Sequence, residues 1–162
     1  MDLINGVSMS DRFKVAAKDA VINDFMTWFK RIHSVKGLQL HSVSEYLYNE
    51  IASSSVTDEQ KAYARQCHAD VENEICEEET LCHMDYHPLN VMYEGDDIRI
   101  IDWIGAGVGK PIWDYARTYV IFYEYAAGLT RKYLKQVLAL LKAEVFHALR
   151  EVRVHLEAVR GL

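Results

Sequence analysis

The run His83-Met84-Asp85-Tyr86-His87-Pro88-Leu89-Asn90 and the nearby Ile100-Ile101-Asp102-Trp103 carry three oxygen-bearing side chains, Asp85, Asn90 and Asp102. Their types and spacing suit movement of the terminal phosphate of a nucleotide. That reaction asks for little covalent chemistry from a protein; the nucleophile must be positioned and the phosphate charge neutralised. Magnesium performs the second task and takes hard oxygen ligands, few of them from protein. In such a site Asp85 would orient an acceptor hydroxyl or take its proton. Asn90 would offer a carbonyl oxygen to the metal without adding negative charge beside the phosphates. Asp102 would hold the metal that bridges the β- and γ-phosphates.

The elements around these residues explain the spacing. Asn90-Val91-Met92-Tyr93 and Ile98-Arg99-Ile100-Ile101 are β-prone runs flanking Glu94-Gly95-Asp96-Asp97, a hairpin turn signal. The chain is expected to go out on 90–93 and back on 98–102, returning Asn90 and Asp102 to the same end. Before the hairpin, residues 1–9 read as an extended lead-in with a turn at Gly6. A helix is then expected from an N-cap at Ser10 to His33, with Phe13, Ala17, Val21, Phe25, Trp28 and Ile32 on one stripe. A second helix spans roughly Val43–Ala52 with Tyr46, Leu47 and Ile51 inward. Thr57 caps a third that runs to about Cys76, with Gln60 completing a capping box. After the hairpin come a glycine-rich loop from Gly105 to Pro111, a helix from Ile112 to near Gly128, and a long helical stretch from Thr130 to Gly161. The pattern predicts a single α+β domain over 1–162, mostly α, with one short catalytic hairpin.

The 162 residues suffice for one real core. A formal net charge of −6 leaves no basic footprint for nucleic acid. No apolar run is long enough to span a membrane, and the first residues show no basic-then-apolar leader pattern. Cys67, Cys76 and Cys82 have no C-x-x-C spacing and read as reduced, mostly buried thiols, which points to the cytoplasm.

The 83–90 run followed by Ile101-Asp102-Trp103 resembles the aminoglycoside phosphotransferase (kinase-like, choline-kinase-related) family, whose pattern is H-G-D-x-H-P-x-N and then I-D-W/F. Trp113-Asp114-Tyr115-Ala116-Arg117 resembles the family's D-x-A-R segment, and residues 21–33 its helix ending in L-H or I-H. The resemblance implies a protein-kinase-like C-terminal lobe, with catalytic loop, hairpin and activation-segment equivalent in 81–117. It implies Asp85 as catalytic residue, Asn90 and Asp102 as ligands of Mg2+ and the ATP (or other nucleoside triphosphate) phosphates, and His83, His87 and Asp114 as supports of the loop. Asp114 would bind the loop's backbone amides and, at a helix start, also act as an N-cap. The acceptor would be a small molecule with a hydroxyl, its identity unreadable. Asp2-Leu3-Ile4-Asn5-Gly6 resembles the hinge between lobes, so the ATP-gripping N-lobe is expected in cis or in trans. The alternative is a non-catalytic binding module that self-associates as a homodimer through a rim bearing Leu3, Ile4, Val7 and Met9.

The chain departs from the family pattern in Met84 and Leu89, where glycine is usual, which implies a different loop course. It also departs in Gly109-Lys110-Pro111 for G-D-P, a charge reversal expected near the site. Other readings of the same residues carry less. His83-x-Asp85-x-His87 offers three zinc ligands but lacks a further histidine in a matching motif. Gly105-Ala106-Gly107-Val108-Gly109 lacks the helix start and crossover of a dinucleotide loop. The run of Glu72, Glu74, Glu77, Glu78 and Glu79 reads as a solvated helix end and loop, with an acidic rim for a cationic substrate as the functional alternative. Tyr119, Phe122, Tyr123 and Tyr125 read as helix packing rather than a substrate platform.

Overall fold

The computed structural model describes residues 6–75, 77–125 and 135–144. In chain order it has β1 (Val7–Ser8), α1 (Met9–Val15), α2 (Lys18–Ile32), α3 (Val43–Ser53), α4 (Asp58–Glu74), β2 (Thr80–Cys82), β3 (Val91–Glu94) and β4 (Asp97–Ile100). A 3-10 turn (Trp103–Gly105), β5 (Gly107–Gly109) and α5 (Pro111–Tyr125) follow, and residues 135–144 are helical. The domain is mostly helical with small antiparallel sheets, as the residue pattern predicts. Strands β1, β3 and β4 form one sheet in that order, while β2 pairs with β5. No described helix is long and apolar enough to cross a membrane.

Helix α2 is the spine of the core. Its Val21, Ile22, Phe25, Met26, Phe29 and Ile32 are buried at three- and four-residue intervals and pack with Tyr86, Tyr115, Phe122, Val137 and Leu141. The continuous helix expected over 10–33 is instead two. Ala16 (φ −102°, ψ 169°) and Ala17 (φ −62°, ψ 111°) are extended between α1 and α2. Alanine favours helix, so the break is imposed by packing. It lets Met9 and Phe13 enter the same core as Val21 and Ile22, and burying two such side chains, at about 1.5–3 kcal/mol each, outweighs a few helical hydrogen bonds at about 1 kcal/mol each. The first cap is Ser8, whose hydroxyl accepts from the Asp11 amide at 3.1 Å. Ser10, expected there, lies in the first turn and donates its free N–H to the Pro88 carbonyl at 3.0 Å. Met9, placed on an exposed rim by the sequence, is wholly buried; Val7 beside it is exposed.

Helices α3 and α4 pack on each other beyond the core. The capping box at Thr57 and Gln60 forms as expected, yet α4 contains no buried residue. On α3, Val43 is buried and Tyr46, expected inward, is exposed. The hairpin closes through Glu94↔Asp97, with Gly95 at φ +66°, a conformation two-residue loops demand and glycine supplies without strain. The stretch 105–111 is not a continuous loop, because Gly107 and Gly109 pair with Cys82 and Thr80. Its glycines serve close approach. A Cβ at Gly107 would lie 2.8 Å from the His41 carbonyl oxygen and 2.9 Å from Val43 Cγ2; at Gly109 it would lie 2.8 Å from Val43 Cβ. The antiparallel pairing and the packed-in glycines exclude a dinucleotide cradle. The expected helix ends near Gly128 and Gly161, and the cap at Thr130, lie outside the described residues, as do Cys76, Leu3 and Ile4.

Gly107→Ala should therefore cost about 1–3 kcal/mol by overpacking. Gly105→Ala, whose Cβ would find its nearest neighbours at an ordinary 3.8 Å, should stay within about 0.5 kcal/mol of the parent. Urea unfolding of the two variants measures the contrast, and equal stabilities would refute the close-approach account.

Candidate active site

The loop between β2 and β3 is held by hydrogen bonds from two sides. From α5, the Asp114 carboxylate accepts the His83 amide (2.7 Å) and the Met84 amide (2.8 Å). The Thr118 hydroxyl donates to the Tyr86 carbonyl at 3.1 Å, and Arg117 Nε reaches the Met84 carbonyl at 3.4 Å. From α2, His33 Nε2 meets the same Asp114 carboxylate at 3.0 Å, and the Phe25 carbonyl accepts the Tyr86 hydroxyl at 2.9 Å. Tyr86 is wholly buried between Phe25 and Phe29, with ring centroids 4.5 and 4.4 Å away. Asp114 does not cap α5, which begins at Pro111; it sits inside the first turn with its carboxylate on the loop.

His83 joins the loop to the hairpin's exit. Its Nε2 faces the Ile101 carbonyl at 3.0 Å and so carries the proton, while Nδ1 accepts the Asp85 amide at 3.3 Å. The ring packs on Trp103 at 4.5 Å. Burial, outweighing the nearby Asp114 charge, holds His83 below the ordinary histidine range, which keeps this neutral tautomer. The Ile101 amide in turn donates to the Asn90 carbonyl at 3.0 Å, so the residue before Asp102 is bonded directly to Asn90.

Asp85 and Asn90 are in contact. Asn90 Nδ2 donates to the Asp85 carbonyl (3.0 Å) and carboxylate (3.1 Å). Two acceptors on that side fix the amide's orientation and turn its oxygen the other way. His87 Nδ1 accepts the Leu89 amide at 3.3 Å, and its Nε2 lies 3.3 Å from Asn90 Nδ2 and 3.4 Å from the Asp85 carboxylate. Asp102 follows β4 with φ +62° and ψ +60°, its side chain exposed and making no capping bond. Asp tolerates the left-handed region better than most residues, and such outliers gather at working sites. An amide oxygen and a carboxylate are both hard-oxygen donors of the kind magnesium accepts. Among the described residues, His83, Asp85 and His87 do not converge as a metal trio; the group that does is His33, Cys82 and Asp114, where burial pushes the Cys82 thiol far up and keeps it protonated.

Beside the loop lies an open groove of about 520 Å³ lined by His41, Ser42, Glu45, Tyr46, Asn49, Ile104 and Gly105. Its Gly105 wall adjoins the His83 carbonyl and the Met84 side chain. Lys110 is not at the site. Its ammonium turns away to the end of α4, donating to the Glu72 carbonyl at 2.7 Å. Glu72 is therefore no part of a solvated acidic rim, whereas Glu74, Glu78 and Glu79 are exposed. Phe122 is core, and Tyr123 is 71% exposed and stacked on Tyr119. Cys67 is exposed rather than buried. The residue pattern did not single out Tyr86, Thr118, Lys110 or Glu72 for these contacts. The aromatic at the position after Asp85, flanked by loop residues, was the available signal for Tyr86.

Met84 keeps φ +63° without being glycine. Left-handed backbone costs an L residue roughly 1–2 kcal/mol, but the Met84 side chain is 8% exposed and packs with Val43 and Cys82, a burial worth about 2–3 kcal/mol. Met84→Gly should thus lower stability by about 1–2 kcal/mol despite relieving strain; a stabilised variant in urea titration would invert the balance. The His83 shift has its own signature. Its folded value lies below the ordinary 6.5, so its contribution is complete above pH 6.5 and declines as pH falls below it. His83→Gln should flatten the stability-pH slope just below that value, and parallel curves for parent and variant would show that His83 does not stay neutral.

The sequence profile of the phosphotransferase enzyme family matches residues 36–155. No curated protein matches the chain. Among solved structures, the gentamicin complex of APH(2")-IIa is similar at 18% identity and a TM-score of 0.53, over 94% of this chain and 58% of that one. A thermostable mutant of aminoglycoside phosphotransferase APH(4)-Ia, in apo form, aligns at 17% identity and a TM-score of 0.48, over 97% of this chain and 69% of that one. The chain thus spans somewhat over half the length of the gentamicin-bound structure, 58%. The likeness to that structure shows a protein-kinase-like fold. With a profile match that runs from before α3 past the catalytic-type loop, hairpin and α5, the chain belongs to the phosphotransferase enzyme family.

Proposed function

We propose that this chain is the C-terminal catalytic lobe of an ATP-dependent phosphotransferase that moves the γ-phosphate to a hydroxyl of a small molecule, and that it needs an N-lobe, in cis or in trans, to grip the nucleotide. The observation that carries the reading is the closure of the loop onto the hairpin. Asn90 contacts Asp85 through its side chain and Ile101, the residue before Asp102, through its backbone, which supports bringing the base candidate and both ligand candidates to one end of the hairpin.

In this reading Asp85 orients the acceptor hydroxyl and receives its proton. Its side chain is 39% exposed, and its carboxylate takes a hydrogen bond from Asn90 on one oxygen, which leaves the other for the substrate. His87 lies beside that carboxylate and packs against the Asn90 amide, supporting the loop. Asn90 and Asp102 would hold Mg2+, which when bound neutralises phosphate charge. His83 and Asp114 keep the backbone of the loop in place. The groove against Gly105 is where an acceptor would lie, and gentamicin in the APH(2")-IIa complex supports hydroxyl-bearing small molecules as the class to screen. The use of ATP fits a cytoplasmic setting.

The 58% span of the gentamicin-bound chain supports the need for a further lobe. A second reading, self-association, is favoured by apolar side chains left in solvent: Val7 at 50%, Leu89 at 61% and Ile104 at 91% exposure. These would be covered by an N-lobe or by a second copy.

With an N-lobe supplied, Asp85→Asn should lower turnover by about 10²–10⁴, equivalent to roughly 3–5 kcal/mol of barrier, with unfolding little changed. Undiminished turnover would remove Asp85 from the reaction. The chain by itself should self-associate in sedimentation, and calorimetry should detect weak or no magnesium-ATP binding at millimolar nucleotide. A monomer that binds ATP at micromolar concentration would overturn the need for a second lobe.

A further inference from the structure

Lys110 replaces an acidic residue of the related pattern, and its side chain is nearly buried, with 12% exposure. Its ammonium donates to the Val71 carbonyl (3.3 Å) and the Glu72 carbonyl (2.7 Å) in the last turn of α4, and lies 3.2 Å from a Glu72 carboxylate oxygen. The Val71 carbonyl also accepts the Ile75 amide, so the cation adds to the helix end's own bonding there and complements its dipole. The other Glu72 oxygen accepts the Trp113 indole N–H at 2.9 Å. Burial pushes the Glu72 carboxyl up, but bonds from Trp113, Lys110 and Ser44 pull it further down, so it remains ionised. His68 of α4 adds a stacked contact on Trp113 at 5.3 Å and meets the Ser44 carbonyl at 3.0 Å.

Beyond its packing on α3, α4 has little other than this polar cluster to tie it to α5. The helix has no buried residue, and its apolar attachment is Val71, partly buried against Ile75, Ile112 and Trp113. On the far side, the same cluster grips the start of α5. Lys110 directly precedes Pro111, Trp113 packs with the cluster of Val43, Cys82 and Met84, and the next residue is Asp114, whose carboxylate holds the His83 and Met84 amides.

We propose that Glu72 and Lys110 are positioning residues for the Asp85 loop: an interlock that fixes the α3–α4 pair to the first turn of α5 and, through Trp113 and Asp114, fixes the loop's backbone. The consequence for chemistry rests on the phosphotransferase reading, but the interlock itself is measurable without nucleotide. The groove residues Glu45, Tyr46 and Asn49 ride on α3, whose start is also held by Val43 and by the His41 carbonyl on Val108, so the pair adds to an anchor that α3 already has.

The test is residue-resolved amide hydrogen exchange on the full chain, comparing the parent with Lys110→Met, Glu72→Gln and Lys110→Arg. Lys110→Met and Glu72→Gln should each accelerate exchange of the His83 and Met84 amides by about tenfold or more, while amides of Phe25–Phe29 in α2 keep parental rates. Lys110→Arg should retain parental protection at His83 and Met84. Fraying confined to the end of α4, with His83 and Met84 unchanged, would overturn the proposal. So would uniform acceleration throughout the chain, which signals lost stability alone. Should Lys110→Met not fold, the milder Glu72→Gln decides by the same criteria. Because exchange is read without ATP, failure here is distinct from failure of the phosphotransfer assay.

Discussion

The carboxylate of Asp114 is the joint on which the site is built. Fully buried, it takes two backbone amides from one loop and a histidine from the central helix. An unpaired buried carboxylate would be costly, by several kcal/mol, so these donors are obligatory partners rather than decoration. The arrangement works in both directions. The loop needs an acceptor for amides that no strand can satisfy, and the acid needs donors that burial has taken from water. That mutual requirement places the backbone of residues 83–84 before any ligand arrives. Tyr86 and Thr118 add a second anchor a few residues on, and His83 passes the constraint to the hairpin through the Ile101 carbonyl.

Much of this was legible in the sequence because the relevant signals are local. The hairpin needed only β-prone runs and a Gly95 turn. The α4 start needed only Thr57 and Gln60, and both formed as read. What escaped were outcomes decided by packing between distant segments. Nothing in Ala16-Ala17 announces a break; it arises because Met9 and Phe13 gain more from the core than from a continuous helix. The glycines of 105–109 look like a ligand loop in sequence and are instead a consequence of Val43 and His41 pressing on β5. Likewise the charge reversal at Lys110 reads as a change to the site, while the residue points the opposite way. Spacing could group Asp85, Asn90 and Asp102; it could not show that Asn90 fixes Asp85 by side chain and Ile101 by backbone.

Among the described residues, two non-glycines adopt left-handed backbone, Met84 and Asp102. For Asp102 the conformation presents a carboxylate to solvent directly after a strand. For Met84 it turns the chain so that the side chain fills the space beside Cys82 and Val43 while the next residue, Asp85, faces outward. Local strain is tolerated at both positions because neighbouring hydrogen bonds leave the backbone no alternative path.

The absence of any buried side chain from α4 has a consequence for how such a protein can change. A helix whose apolar packing on the core is limited to Val71 can accumulate substitutions along most of its length without threatening folding, provided that contact, its packing on α3 and the polar contacts at its end persist. Its partner α3 carries one wall of the groove. The molecule thus joins a tightly packed loop, where most changes would disturb the core, to a helix whose exposed length tolerates change at small cost to the fold.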